Sequence, residues 1–259
     1  MSANLSSVMI LGSRVHVVRA SDVLACLETW IAARGACRQV VVTGFHGLWE
    51  AHKDRALKAI LNSAALWVPD GIAPVWIARL RGIRGAERVP GTDLLKGFLE
   101  LSNTKRYCSF FYGDTAGTLE ALRAVAESRY PGHRVAGMLA PPFRELTAAE
   151  DEEHIRTINA ARPDVLWVGL GTPKQDRWIH AHLHRLDVPV AIGVGAAFGF
   201  VSGRVKHAPA WVGRLGGEWA YRLICEPRKC WRRSLVEGPQ FLAHVLLELT
   251  GLRKYDGGP

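Results

Sequence analysis

Four turns in this sequence carry residue types that could do chemistry, and three of them follow a short apolar run. The first is Thr43-Gly44-Phe45-His46-Gly47. Its glycines permit close approach and a helix start follows, which suits an anionic or hydroxylated ligand; a plain strand-to-helix turn with a capping threonine would look the same. The second is Pro69-Asp70-Gly71-Ile72. A carboxylate at the carboxyl end of a strand is placed to act as a general base, or else to cap the helix that follows. The third is Arg88-Val89-Pro90-Gly91-Thr92-Asp93, where an arginine precedes a glycine turn and a helix start. That order fits a phosphate clamp, and equally a solvated arginine beside a Thr or Asp cap. The fourth is Gly169-Leu170-Gly171-Thr172-Pro173-Lys174-Gln175-Asp176. It holds half of a dinucleotide fingerprint, but neither a full G-x-G-x-x-G nor a P-loop is completed, so those motifs give no support for NAD or ATP binding.

Other chemistry-bearing clusters read differently. His180, His182 and His184 alternate along one helix without H-E-x-x-H, which reads as a surface helix and not a zinc site. No D-x-D pair is present to hold Mg²⁺ or Mn²⁺. The tract Glu150-Asp151-Glu152-Glu153 reads as a first helical turn favoured by the helix dipole.

The elements that must position these turns alternate regularly. Strands are expected at Val8–Val18 (or a hairpin), Gln39–Thr43, Ala65–Pro69, Tyr107–Tyr112, Arg134–Leu139, Val165–Gly169 and Val188–Val194. Helices are expected at Ala20–Ala33, His46–Ser63, Ile72–Leu80, Thr92–Leu101, Thr115–Arg129, Ala148–Ala161 and Pro173–Arg185. Uninterrupted apolar strands between helices predict a doubly wound, mostly parallel α/β sheet, covered on both faces. Ligands of such sheets bind beyond the carboxyl ends of the strands.

Past Val194 the character changes. Arg204–Arg233 holds eight basic residues against Glu218 and Glu226, with Trp211, Trp219 and Trp231 interleaved, and Gln240–Leu252 reads as an apolar helix. The chain is read as an α/β body over about 1–195 and a helical basic appendage over about 196–259. Removing the appendage is expected to spare the body.

The net charge of +9 in 259 residues favours anionic partners: nucleic acid, anionic lipid or phosphorylated substrates. Five cysteines without a C-x-x-C pair point to buried or idle thiols in a reducing compartment. The N-terminal stretch lacks a basic n-region, and no run reaches the ~20 apolar residues of a membrane span. The expectation is a cytoplasmic protein that meets a membrane only from its surface. The helix Gln240–Leu252 is suited to a bilayer or to a subunit interface in a homo-oligomer.

Taken in order, the segments VVTGFHGLWEAHKD, LNSAALWVPDGIAPVWIARLRG, ERVPGTDLL, FFYGDTAG, PPFRELT, PDVLWVGLGTPKQDRWI, GVGAAFGFVSGRVKHAPAW and LGGEWAYRLICEPRKCWRR resemble the WecG/TagA/CpsF family of bacterial glycosyltransferases. The resemblance spans roughly residues 8–235. It implies a Rossmann-like enzyme without a metal cofactor, moving a hexose, N-acetylhexosamine or uronic-acid-type sugar from a UDP-sugar to a saccharide on a polyprenyl diphosphate. It makes Asp70 the general base and lays the membrane-contacting appendage onto Arg204–Arg233. This chain departs from common family patterns at Phe45-His46, where many members read Thr-x-Asn, and at Gly199, where many have an aspartate.

The resulting expectation is an inverting displacement. Asp70 takes the acceptor proton. Thr43 and His46 contact substrate. Arg88, the helix start at Gly91, Thr92 and Asp93, and the turn Gly171–Gln175 with Lys174 hold the leaving diphosphate. Arg214, Arg222 and Arg228 hold the acceptor diphosphate. The competing class is a basic, non-enzymatic nucleic-acid-binding protein. A nucleotide-dependent oxidoreductase is disfavoured by the broken glycine fingerprint.

Overall fold

Apart from the half-buried edge strand Arg134–Leu139, the strands of the central sheet send their side chains alternately into two buried layers, which is why their sequences read as unbroken apolar runs. Val40 and Val42 enter one core, and Val41 between them enters another. Trp167 points into the first layer, while Leu166 and Val168 flank it on the opposite face. The computed structural model describes residues 5–205, 218–225 and 227–256.

The chain opens with an antiparallel hairpin, β1 (Ser7–Ile10) and β2 (Ser13–His16). The main sheet has six strands: β3 (Arg38–Thr43), β4 (Leu66–Pro69), β5 (Cys108–Gly113), β6 (Arg134–Leu139), β7 (Val165–Gly169) and β8 (Val190–Gly193). Their order is β4-β3-β8-β7-β5-β6, and every pairing is parallel. The register Thr43↔Pro69 sets the first two turns side by side. The expected doubly wound, Rossmann-like sheet is the architecture found.

One face is covered by α1 (Ala20–Ala33), α5 (Gly91–Lys105), α6 (Ala116–Arg129) and the short α9 (Ala197–Val201). The other carries α2 (Phe45–Lys53), α3 (Arg55–Ser63), α7 (Ala148–Ala161) and α8 (Lys174–His182), with α4 (Ile72–Leu80) and the hairpin at the β4 edge. The chain continues through α10 (Glu218–Cys225), α11 (Pro227–Trp231), a π-helical turn (Arg232–Glu237) and α12 (Gly238–Leu249).

Three expectations need correction. The stretch His46–Ser63 is two helices. Asp54 leaves helical geometry at φ −129° and its carboxylate accepts from the Leu57 amide at 3.0 Å, so it ends α2 and caps α3. The histidine helix is not a surface helix throughout. His182 is buried at 8% exposure, its Nε2 2.7 Å from Asp151 and its Nδ1 2.7 Å from the Trp178 carbonyl. The last helix is not a detachable addition either. Phe241 and Val245 fill the same cluster as Leu48, Trp67 and Ile77. Glu248 accepts from the Leu11 amide at 3.1 Å and pairs with Arg81 at 2.7 Å. Losing one buried phenylalanine costs about 3–5 kcal/mol, so cutting the chain after Val194 would open the body.

The acidic tract behaves as expected. Thr147 and Glu150 form a reciprocal capping box at the head of α7. All five cysteines are free thiols, and burial pushes Cys37 up to about 12. Among the described residues, no helix is long and apolar enough to cross a membrane.

Candidate active site

Parallel strands followed by helices bring helix N-termini to the carboxyl edge of the sheet. Here α2, α4 and α8 begin there just after β3, β4 and β7, and α5 begins there at the end of the loop from α4, which the Val89 amide ties to the Pro69 carbonyl. Their free amides and positive dipole ends make this edge favourable for anions.

Asp70 follows the last residue of β4 and is exposed. Its amide donates to the Thr43 carbonyl at 3.3 Å, tying it to the end of β3. One carboxylate oxygen accepts from the Gly91 amide at 3.1 Å. The aspartate therefore caps a helix, but not the one that follows it. Gly71 is the N-cap of α4, and Asp70 instead serves the first residue of α5, held nearby because Val89 donates to the Pro69 carbonyl at 2.9 Å. The carboxylate is thereby oriented at the mouth of the sheet.

The two adjoining turns touch through backbone. A side chain at Gly44 would come 3.1 Å from the Gly71 nitrogen, so glycine is what lets the β3 and β4 turns close on each other. Thr43 is buried at 6% exposure beneath them. Its side chain is wedged by α2: a β-carbon at Gly47 would sit 2.3 Å from Thr43 Cγ2 and 2.5 Å from Oγ1.

The row continues across the sheet. Gly91 lies against Val194, the residue after β8, with 3.3 Å between its projected β-carbon and the Val194 carbonyl. The next residue, Gly195, donates its amide to Gln175 Oε1 at 2.9 Å. Gln175 is buried at 1% exposure, and its side-chain amide lies 3.4 Å from the Thr172 hydroxyl. Thr43, Asp70, Gly91 and Gln175 thus form one continuous line along the strand ends. Gln175 does so as a brace between the β7 and β8 turns. Gly171 opens its turn and accepts from the Gln175 amide at 2.9 Å. Arg88 is half-buried in the loop leading to α5, with Thr92 and Asp93 in that helix's first turn.

Lys174 does not join this line. It lines a separate cavity of about 310 Å³ with Tyr112, Arg144, Asp151 and Trp178, on the α7–α8 side. Arg228 is exposed in α11. Arg214 and the Arg222 side chain lie outside the described residues, as does Trp211.

His46 is engaged by the C-terminal segment. Its Nδ1 lies 3.6 Å from Glu237 and 3.9 Å from Glu50. Burial holds its imidazole below the ordinary range, helped by the charge of Arg233 and opposed by the two glutamates. These three side chains bring potential metal-ligand atoms within 4.8 Å of one another. The ammonium of Lys53, 2.6 Å from Glu50 and 3.3 Å from Glu237, already pairs with both carboxylates and offsets part of their charge.

Two residues escaped the sequence reading. Glu237 reaches Lys53 across 184 positions, a separation no local pattern reveals. Asp176 follows the brace Gln175 and is fully buried. Neither of its oxygens has a hydrogen-bond partner among the described residues, and burial pushes its carboxyl up to about 7. The signal was present in the motif, since an acid beside a helix-opening Thr-Pro-Lys-Gln is a first-turn position, but its full burial was not.

Similarity to known proteins extends over nearly the whole chain, these turns included. The family described as "Glycosyl transferase WecG/TagA/CpsF family" matches residues 8–255. A Bacillus subtilis (strain 168) protein named N-acetylglucosaminyldiphosphoundecaprenol N-acetyl-beta-D-mannosaminyltransferase is 35% identical over 198 residues, covering 76% of this chain and 75% of the relative. A protein of the same name from Staphylococcus aureus (strain NCTC 8325) is 27% identical over 232 residues, covering 89% and 88%. With a match over nearly its whole length, the chain belongs to the WecG/TagA/CpsF family of glycosyltransferases and is an enzyme of that class.

Proposed function

We propose that this enzyme moves a sugar from a UDP-sugar to a saccharide carried on a polyprenyl diphosphate, with inversion at the transferred carbon, in the building of a bacterial cell-surface polymer. The relatives' names favour an N-acetylhexosamine over a hexose or a uronic acid as the sugar transferred. The observation that carries the mechanism is the exposed Asp70 carboxylate, fixed by the Gly91 amide at a strand end ringed by helix N-termini.

In this reading the acceptor hydroxyl gives its proton to Asp70 as its oxygen attacks the anomeric carbon. The bond from that carbon to the β-phosphate oxygen breaks, and UDP leaves with the electron pair. Negative charge then grows on the diphosphate. Fixed donors at the mouth stabilise it: the first turn of α5, the Gly171–Gln175 turn and the Arg88 guanidinium. Thr43 and His46 border the sugar. The appendage, with Arg214, Arg222 and Arg228, takes the acceptor's diphosphate and brings the enzyme to the inner face of the membrane as a peripheral protein.

Asp70→Asn tests this directly. The amide oxygen can still accept from Gly91, so the fold and UDP affinity persist, while transfer falls by the roughly 10²–10⁴-fold that such a base contributes. Turnover near that of the unaltered enzyme would remove Asp70 from the chemistry.

A further inference from the structure

Two helices of this enzyme bury one stripe and expose another that is also apolar. Helix α12 sets Phe241 and Val245 into the core, yet its outward stripe carries Leu242 at 57% and Leu246 at 62% exposure. Helix α4 buries Val75, Ile77 and Ala78 in that same cluster and leaves Trp76 at 55% and Leu80 at 73% exposed. Residues i and i+4 lie on one face of a helix, so each pair forms a stripe. Arg81 joins the two helices, bonding Glu248 of α12 at 2.7 Å and the carbonyl of Met9, itself exposed. A helix that meets only water carries polar residues on its outer face; these do not.

We propose that α4 and α12 together form a membrane-docking face, so that the α/β body itself, and not the basic appendage alone, rests on an anionic lipid surface. This rests on the lipid-linked acceptor in the reading above. The charge around the face points to lipid as its occupant. Arg79 in the last turn of α4, Arg84 just beyond it, and Arg253 and Lys254 beyond α12 are exposed beside the apolar stripes; Asp70, Glu87 and Asp256 are the exposed acids nearest in sequence. Arginine and lysine stems over apolar surface with a tryptophan among them match the boundary between headgroups and acyl chains. A second copy would bring the same basic rim against itself.

The placement bears on the reaction. Helix α4 starts two residues after Asp70, and its nine residues span about 13 Å. One rigid element thus joins the catalytic carboxylate to the docking face. The distance of the base from the bilayer is set by a helix length and not by a flexible linker, and the acceptor's diphosphate is bound to the bilayer by its prenyl chain.

The test uses the full-length enzyme and the variant W76S/L80S/L242S/L246S, whose changes are all at exposed positions. Both are checked for equal melting temperature and equal thermal shift with UDP. Each is then co-sedimented with phosphatidylcholine vesicles containing phosphatidylglycerol, and assayed on a short-chain, water-soluble prenyl diphosphate acceptor. The expected result is at least a tenfold loss of vesicle partitioning with soluble-acceptor transfer unchanged. Equal partitioning of the two proteins overturns the proposal. So does a dimer, seen by light scattering, that the variant abolishes while vesicle binding stays the same. Failure of both proteins to transfer to any prenyl acceptor would count against the proposed reaction and leave the vesicle comparison standing.

Discussion

Replacing Gly47 by alanine sets two known effects against each other and lets the structure decide the sign. Gly47 lies inside α2, where alanine is favoured over glycine by about 1 kcal/mol through helix propensity. Against this, the added β-carbon would lie 2.3, 2.5 and 2.9 Å from Thr43 Cγ2, Oγ1 and Cβ. Thr43 is β-branched, held in few rotamers, and buried at 6% exposure, so it cannot simply swing away. Overpacking of this kind costs about 1–3 kcal/mol, and contacts this short belong at the upper end. The balance is a loss of about 2 kcal/mol, which for a chain of this size lowers Tm by about 4–8 °C. Gly97→Ala is the matched control. It is also helical, but its β-carbon meets only Leu24 Cδ1 at 3.4 Å, so that variant should hold or gain stability. Because the Thr43 carbonyl accepts the Asp70 amide, the shift in Gly47→Ala also moves Asp70, the proposed base, and a displacement of about 1 Å can cost about 10²-fold in rate. Differential scanning fluorimetry and a transfer assay on both variants suffice. A Gly47→Ala enzyme as stable and as fast as the parent would mean that Thr43 is not wedged as described.

Further expectations follow from other parts of the site. Asp176 titrates near 7 when folded and near 3.8 otherwise. Between those values the folded enzyme keeps a proton that the unfolded chain has released, so this group lowers stability as pH rises from about 4 to about 7. Asp176→Asn should therefore be more stable than the parent at pH 8, by on the order of a few kcal/mol at most, with the gap closing toward pH 4; urea midpoints at both pH values measure it, and a gap that widens toward acid would refute the sign. His52 and His133, both pushed down to about 4 by burial, act oppositely: they stay neutral in the fold while the unfolded chain takes up protons near 6.5, so stability is lost as pH falls from about 6.5 to about 4. Arg88→Ala should lower kcat by about 10²–10³-fold, as for other fixed donors to a growing negative charge, and an unchanged kcat would release Arg88 from the leaving diphosphate. Vesicle attachment should weaken when salt rises from about 0.1 to about 1 M, because the screening length falls from about 10 to about 3 Å and each basic residue near anionic lipid contributes about 1 kcal/mol.

The parallel core was legible because both faces of the sheet are buried. Such strands need no alternation to be recognised, and Val165–Gly169 is found where its apolar run places it, as is the half-buried edge strand Arg134–Leu139. Helix ends were less legible when the deciding contact was a cap. Asp54 sits inside a run of continuous helical periodicity, and only its bond to Leu57 shows that the chain breaks there. Helix α5 runs on to Lys105, beyond the expected Leu101, until Arg106 turns left-handed at φ 60°. The line of Thr43, Asp70, Gly91 and Gln175 could be anticipated as strand-end turns, since the fold requires such turns to converge. What each does for its neighbour could not. Asp70 serves a helix 21 positions away, and Glu237 reaches His46 from the far end of the chain. Sequence patterns report local geometry, and these partners are brought together only by the completed sheet.

The bond from the Leu11 amide to Glu248 ties residues 237 positions apart, and it has a bearing on how the enzyme comes into being. A ribosome releases the first hairpin long before it makes the last helix, and domains generally fold as they emerge. Until that helix arrives, the cluster around Trp67 and Leu48 lacks Phe241 and Val245, and the turn bearing His46 lacks its glutamate. The nascent polypeptide therefore carries an open apolar seam beside a turn that still lacks Glu237. The core cluster closes only once the helix carrying Phe241, Val245 and Glu248 has been made and meets the first hairpin.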